Sequence, residues 1–192
     1  MIYSINDLKR YMRADLSNMG YTNSARAILL DPVARITVLM RVNEYLLNSG
    51  KASFLRLPAL VWFRRLSVRL GFSLGLNIFG PGVAIVHYGL LIIDPTTRIG
   101  RNCRIHMGVQ IGGAAKFVVG SDAHKYSPRI GDNVYIGPGA KLYGAITIGS
   151  NCTIGANAVV TKSFEQSGLT LAGVPAKIIA EGGNGERVRQ AG

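Results

Sequence analysis

A chain of 192 residues has room for one good core and a small appended module, and 48% apolar against 17% charged residues exclude a disordered segment. The formal charge of +12 would suit a nucleic acid, an anionic membrane face or a phosphorylated ligand, but no nucleic-acid motif accompanies it and no nucleic-acid partner is expected. Two cysteines, Cys103 and Cys152, are too few for a disulfide framework.

The first 70 residues read as a helical module. Met1 to Gly20 alternates apolar and charged residues, unlike a signal peptide, so a cytoplasmic protein is expected. A helix is predicted around Asn6 to Asn18. Asp31-Pro32 starts another, with Asp31 as N-cap and proline at the first helical position. Val33, Ile36, Leu39, Met40, Val42, Leu46 and Leu47 then recur at helical spacing until Gly50 closes the segment. A further helix is predicted from about Pro58 to Leu70, stopped by Gly71. Arg56, Arg64, Arg65 and Arg69 give its neighbourhood a basic side, suited to a membrane surface, a solvated face or a subunit contact. From Gly71 to Ile93 there are 23 residues without Lys, Arg, Asp or Glu. Their glycines, with Pro81 and His87, favour an edge of the core over a membrane span.

Beyond residue 70 the sequence repeats with a period of six. Ile93, Ile99, Ile105 and Ile111 open the series, and Ile130, Ile136, Leu142, Ile148, Ile154 and Val160 continue it after one break. Glycine follows the aliphatic residue at Gly100, Gly112, Gly131, Gly137, Gly149 and Gly155. Four positions after each aliphatic residue stand small or β-branched side chains: Thr97, Cys103, Val109, Val134, Ala140, Ile146, Cys152 and Ala158. This hexapeptide repeat predicts a parallel β-helix in which three units complete a triangular coil. The aliphatic residue fills the axis and the small one packs beside it, so both cysteines are expected to be buried and inert. The expected organisation is a helical module at 1–70, a β-helix at 71–179 interrupted by a loop at 113–129, and a polar, glycine-rich, flexible tail at 180–192.

These features resemble the serine acetyltransferase group of hexapeptide acyltransferases. The resemblance runs from Leu30-Asp31-Pro32 and Arg41 to Gly50, through Phe79-Gly80-Pro81-Gly82 and Ile85-Val86-His87-Tyr88-Gly89. It ends with Ile154 to Lys162 and Ala172 to Lys177. The short helical module and the Phe-Gly-Pro-Gly run look most like shortened enzymes associated with bacterial surface-polysaccharide synthesis. The resemblance implies a left-handed β-helix, mainly β in content, that assembles as a homotrimer, and acetyl transfer from acetyl-CoA to a hydroxyl.

Such transfer needs a base at the hydroxyl and donors for the developing oxyanion. By resemblance His87 is the base, its pKa class suiting the task, and the backbone N–H groups of Gly113 and Ala114 are the oxyanion donors. Pro138, Ala156, Thr161, Lys162 and Lys177 are the implied acetyl-CoA contacts, with the lysines as point-charge partners for phosphate. Asp31 matches an aspartate of the family's serine pocket, and His106, His124 and Ser127 are further acceptor-pocket candidates. His124 and Ser127 compete for the family's second-histidine position.

Departures bear on the acceptor. Val86 stands where the serine enzymes have an aspartate, Gly75-Leu76-Asn77 lacks the aspartate that orients the histidine, and Asp122-Ala123-His124-Lys125 lacks the carboxylate-binding arginine. These losses favour a sugar hydroxyl over L-serine, with serine O-acetylation for cysteine biosynthesis as the alternative. His87, His106 and His124 lie about one coil apart, but no closely spaced ligand pair exists and no metal is expected.

Overall fold

The computed structural model describes residues 1–51, 53–113 and 123–183. Four helices come first: α1 (Ile5–Asn18), α2 (Ser24–Leu30), α3 (Pro32–Ser49) and α4 (Ser53–Leu70). Ser4 and Asp7 form a reciprocal capping box at the start of α1. Asp31 caps α3 as the sequence predicts, its Oδ1 accepting from the N–H groups of Val33 (2.6 Å) and Ala34 (3.3 Å). At the other end Gly50 adopts φ +65°, the left-handed conformation that suits glycine.

Two helical expectations are corrected. α2 was not foreseen; it is a single short segment with only Ala27 buried, too brief to show periodicity. α4 begins five residues before the expected start and contains Pro58. The proline ring forfeits a backbone bond there, while Phe63, Ser67 and Leu70 still bury the inner side of the helix.

After α4 the chain winds as a three-faced solenoid of parallel strands. One face stacks β1 (Phe72–Ser73), β3 (Leu91–Ile93), β6 (Gln110–Gly112), β9 (Lys141–Tyr143) and β12 (Val159–Val160). A second stacks β4 (Arg98–Ile99), β7 (Arg129–Ile130) and β10 (Thr147–Ile148). The third stacks β2 (Ala84–Ile85), β5 (Arg104–Ile105), β8 (Tyr135–Ile136), β11 (Thr153–Ile154) and β13 (Leu169–Gly173). Antiparallel β14 (Ala176–Glu181) closes that face.

The hexapeptide frame is the register. Ile85, Ile105, Ile136, Ile154 and Leu171 lie one above another, as do Ile93, Ile111, Leu142 and Val160, all buried. Cys103, Val109, Val134, Ala140, Cys152 and Ala158 fill the space beside them at 0% exposure. Ile93 stacks on Ile111, 18 residues on, whereas Ile111 stacks on Leu142, 31 residues on. The 13 extra residues therefore fall between β6 and β7, and the frame resumes at Ile130, which pairs with Ile99. Coil corners need a left-handed residue, supplied by Asn102, Asn133 and Asn151 at φ +54° to +58°; Asn133 also donates to Asn151 along the stack.

The expected tail boundary moves. Ala180 and Glu181 pair with Thr170 and Leu169, and the Gly182 N–H donates to Gly168, so the ordered fold extends past residue 179. Among the described residues no helix is long and apolar enough to cross a membrane.

Helices and solenoid are joined by a buried ionic cluster absent from the sequence reading. Arg41, at 0% exposure, donates to both oxygens of Asp15 (2.7 and 3.2 Å) and to Glu44 (2.9 Å). Its remaining donors reach the carbonyls of Phe79 (3.0 Å) and Gly80 (2.7 Å). Asp15 in turn accepts from the N–H groups of Gly82 and Val83, and Glu44 from that of Asn77. Burial opposes the Arg41 charge, but the adjacent Asp15 and Glu44 carboxylates outweigh it and push the guanidinium pKa up.

Candidate active site

His87 follows β2 at one corner of the solenoid, and the register defines what stands above it. Because Ile85, Ile105, Ile136, Ile154 and Leu171 align, the corner after these strands stacks Val86-His87, His106-Met107, Gly137-Pro138, Gly155-Ala156 and Ala172-Gly173. Backbone bonds join the column: Val86 N–H to Ile105 O, His106 N–H to Ile136 O, Gly137 N–H to Ile154 O and Gly155 N–H to Leu171 O. Adjacent rungs are about 4.8 Å apart, so His87 and Ala156, three rungs distant, are separated by about 14 Å along one edge. Lys177 pairs with Ala172 across the β13–β14 hairpin and joins the same edge. The fold thus brings Pro138, Ala156 and Lys177 into line with His87. Thr161 and Lys162 follow β12 on the surface, and the Lys162 Nζ rests 5.4 Å from the centre of the Phe164 ring.

At the lower end of the edge, the helical module turns the exposed corner into a concavity. A cavity of about 510 Å³ is lined by Val86, His87 and Tyr88 from the solenoid, and by Tyr21, Asn23, Arg26 and Asp31 among the helical residues. Tyr21 donates its hydroxyl to Asp31 Oδ2, leaving Asp31 shared between the α3 cap and the cavity. Burial, with the bond to Asp31 second, pushes the Tyr21 phenol up to about 12, so it remains a donor at neutral pH. The Arg26 side chain has no hydrogen-bond or ion-pair partner among the described residues, so its guanidinium is available to a ligand.

His106 packs between His87 and Tyr135, its ring centre 6.2 Å from the first and 5.0 Å from the second. Its Nε2 is buried and has no partner among the described residues. Burial, then the charges of His87 and Arg104, lower its pKa and keep the ring neutral. No group of three His, Cys, Asp or Glu side chains among the described residues stands ready to share a metal.

Other candidates lie apart from this cavity. Ser127 is buried against Asp94 and Thr96, and its Oγ lies 3.2 Å from where a Cβ on Gly113 would stand. Gly113 ends the described part of the β6 edge; Ala114 lies outside the described residues, as does the side chain of His124. Asn77, where an orienting aspartate was sought, pairs with Asn48 and Glu44 and serves the helix–solenoid junction instead. Tyr21 and Arg26 escaped the sequence reading because they belong to the short α2 and the turn before it. The one local signal was Asn23, whose side chain caps that helix through the Arg26 N–H.

Comparison with known proteins agrees with the fold. Residues 127–162 match the family model described as bacterial transferase hexapeptide (six repeats). The serine acetyltransferase of Staphylococcus xylosus is 37% identical over 123 residues, 64% of this chain and 51% of that protein. The chain therefore spans about half the length of that curated relative. The Brucella abortus serine acetyltransferase solved with coenzyme A superposes with a TM-score of 0.77 at 26% identity, over 94% of this chain and 70% of that one. The Neisseria gonorrhoeae serine acetyltransferase solved with serine gives 0.71 at 28% identity, over 92% and 71%. By repeat, sequence and fold, the chain is similar to serine acetyltransferases built from hexapeptide repeats.

Proposed function

We propose that this chain is an acetyl-CoA-dependent O-acetyltransferase whose acceptor is L-serine. The observation that carries the reading is the single cavity lined by His87, Asp31 and Arg26. A base for a hydroxyl, a carboxylate for an ammonium and a guanidinium for a carboxylate match the three polar groups of serine. Relatives named serine acetyltransferase support the same acceptor, and none supports the sugar hydroxyl that the lost family aspartate and arginine favoured. Arg26, from a different element, supplies a guanidinium where the family's own is missing.

In this reading acetyl-CoA lies along the edge above His87, against Pro138 and Ala156, with Lys177, Lys162 and Thr161 toward its phosphates. The solenoid is left-handed, and a second chain of a homotrimer supplies the other wall of the groove. Acetyl-CoA and serine assign the protein to the cytoplasm. His87 takes the hydroxyl proton as the serine oxygen attacks the thioester carbonyl. Gly113 stands on a different corner of the solenoid from His87, so its N–H, with Ala114 beside it in the sequence, comes from the neighbouring chain of the trimer to donate to the resulting oxyanion. Collapse breaks the C–S bond, CoA leaves as thiolate, and His87 returns the proton to it.

The test is CoA release from acetyl-CoA against L-serine, L-serinamide and a panel of nucleotide- and lipid-linked sugars. L-serine is expected to turn over, with His87→Ala lowering the rate by about 10²- to 10⁴-fold. Arg26→Gln should raise KM for L-serine by about 10- to 100-fold and erase the preference over L-serinamide. Turnover on a sugar alone would overturn the serine assignment, and full activity in His87→Ala would overturn the base.

A further inference from the structure

We infer that the outer side of α4 is a docking surface for an anionic lipid bilayer. At about 100° per residue, Phe54, Val61 and Val68 fall in one line along this helix, with Leu57 and Trp62 to either side. Their exposure is unusual for such side chains: Phe54 79%, Leu57 69%, Trp62 58% and Val68 80%. Arg64, Arg65 and Arg69 share the same side toward the C-terminal half and are exposed as well. The surface continues into an apolar cavity of about 590 Å³ between α3 and α4, lined by Val38, Val42, Leu46, Leu55, Pro58 and Trp62.

Charge identifies the occupant. Between Glu44 and Asp94 the sequence has no acidic residue, yet it carries Lys51, Arg56, Arg64, Arg65 and Arg69. None of these arginines has an ion-pair partner among the described residues. A second copy docked face to face would bring the same surface, again without a carboxylate, and would bury arginines against apolar groups or one another. A bilayer with anionic headgroups answers both halves of the surface. Acyl-chain boundary receives Phe54, Leu57, Trp62 and Val68, while phosphates meet guanidinium groups that extend from their apolar stems. With four arginines in its 18 residues α4 is not apolar enough to span the bilayer, so it lies along the surface.

Trp62 is the only tryptophan in the chain and therefore reports on this face alone. With the full chain, co-sedimentation is expected with phosphatidylcholine vesicles containing phosphatidylglycerol and not with phosphatidylcholine alone. Trp62 emission should shift to the blue on binding, and added salt should reverse both effects. Replacing all three arginines (Arg64→Gln, Arg65→Gln, Arg69→Gln) should weaken partitioning on the order of 100-fold with an unchanged melting curve. Phe54→Ser with Val68→Ser should weaken it while the charge stays intact. Failure of the wild type to bind anionic vesicles, or undiminished binding by the triple variant, overturns the inference. So does binding to an oligonucleotide that leaves vesicle affinity absent, which would make the arginines a nucleic-acid site. A Trp62 emission already blue in buffer, through self-association that the serine variant abolishes, overturns it as well.

Discussion

Replacing Arg41 by methionine isolates the contribution of the buried ionic cluster. The guanidinium makes five hydrogen bonds at 2.7–3.2 Å, three to Asp15 and Glu44 and two to the carbonyls of Phe79 and Gly80. Methionine fills much of the volume but leaves two buried carboxylates facing each other and two carbonyls short of a donor. Removing one side of a buried ion pair costs about 3–5 kcal/mol, against a total stability of about 5–15 kcal/mol for a domain. Urea unfolding at fixed protein concentration should show the midpoint lowered by about 2 M. Adding Asp15→Asn and Glu44→Gln to the same chain should recover part of the loss, because neutral amides remove the repulsion. Acetyl transfer should fall further than the unfolded fraction explains, because Asp15 holds the Gly82 and Val83 amides just before β2 and His87. A loss below 1 kcal/mol would refute the reasoning, since it would mean that the cluster behaves as a solvated surface pair.

Other outcomes follow from individual side chains. Asp31→Asn keeps an equally good N-cap, so stability should change by less than about 0.5 kcal/mol while KM for L-serine rises; a thermal melt beside steady-state kinetics separates the two. Folded His106 has a pKa below its ordinary 6.5, so the unfolded chain takes up the proton first and stability falls as pH drops through that value. His106→Phe should flatten this acid limb in denaturation measured across pH, and an unchanged slope would refute the assignment. Burial pushes the Cys103 thiol up to about 12 and raises Cys152 as well. A thiol reagent at pH 8 should therefore leave the folded protein unlabelled and modify both cysteines on unfolding.

The solenoid was legible because its determinants are local and repeated. Each aliphatic residue occupies the same place in its own coil, so a six-residue frame written along the chain is also the vertical register of the faces. Thus Ile105 could be assigned to the axis, and Cys103 to the space beside it, without knowing where any other part of the chain lies. Asp31 was legible for a related reason, since an N-cap is decided by the two or three residues after it. Arg26, Arg41 and Tyr21 were not. Arg41 sits on α3 among apolar neighbours, and only the approach of Asp15 from α1 and of the Phe79 and Gly80 carbonyls explains a buried charge there. Arg26 matters only once α2 folds over the corner that carries His87, a contact spanning some sixty residues that no local pattern encodes.

This division has a consequence for how acceptor choice is built. A solenoid edge repeats one direction of side chains at every rung, which suits an extended ligand lying across several coils. It offers no enclosure, since consecutive rungs present the same surface to solvent. Enclosure around His87 comes instead from Tyr21, Asn23, Arg26 and Asp31, all supplied by the helical module. On the proposed reading the acetyl donor is read by repeats under strict packing constraint, whereas the acceptor is read by residues on a turn and a short helix that can change without disturbing a single rung. The Arg41 cluster fixes the distance between the two parts, because it grips Asn77 to Val83 immediately before β2 and the corner that carries His87. A change of acceptor then requires substitutions at positions 21–31 with that cluster intact. On the proposed reading, loss of the family's arginine from the sequence after β6 is compatible with serine recognition, because Arg26 lines the same cavity as His87.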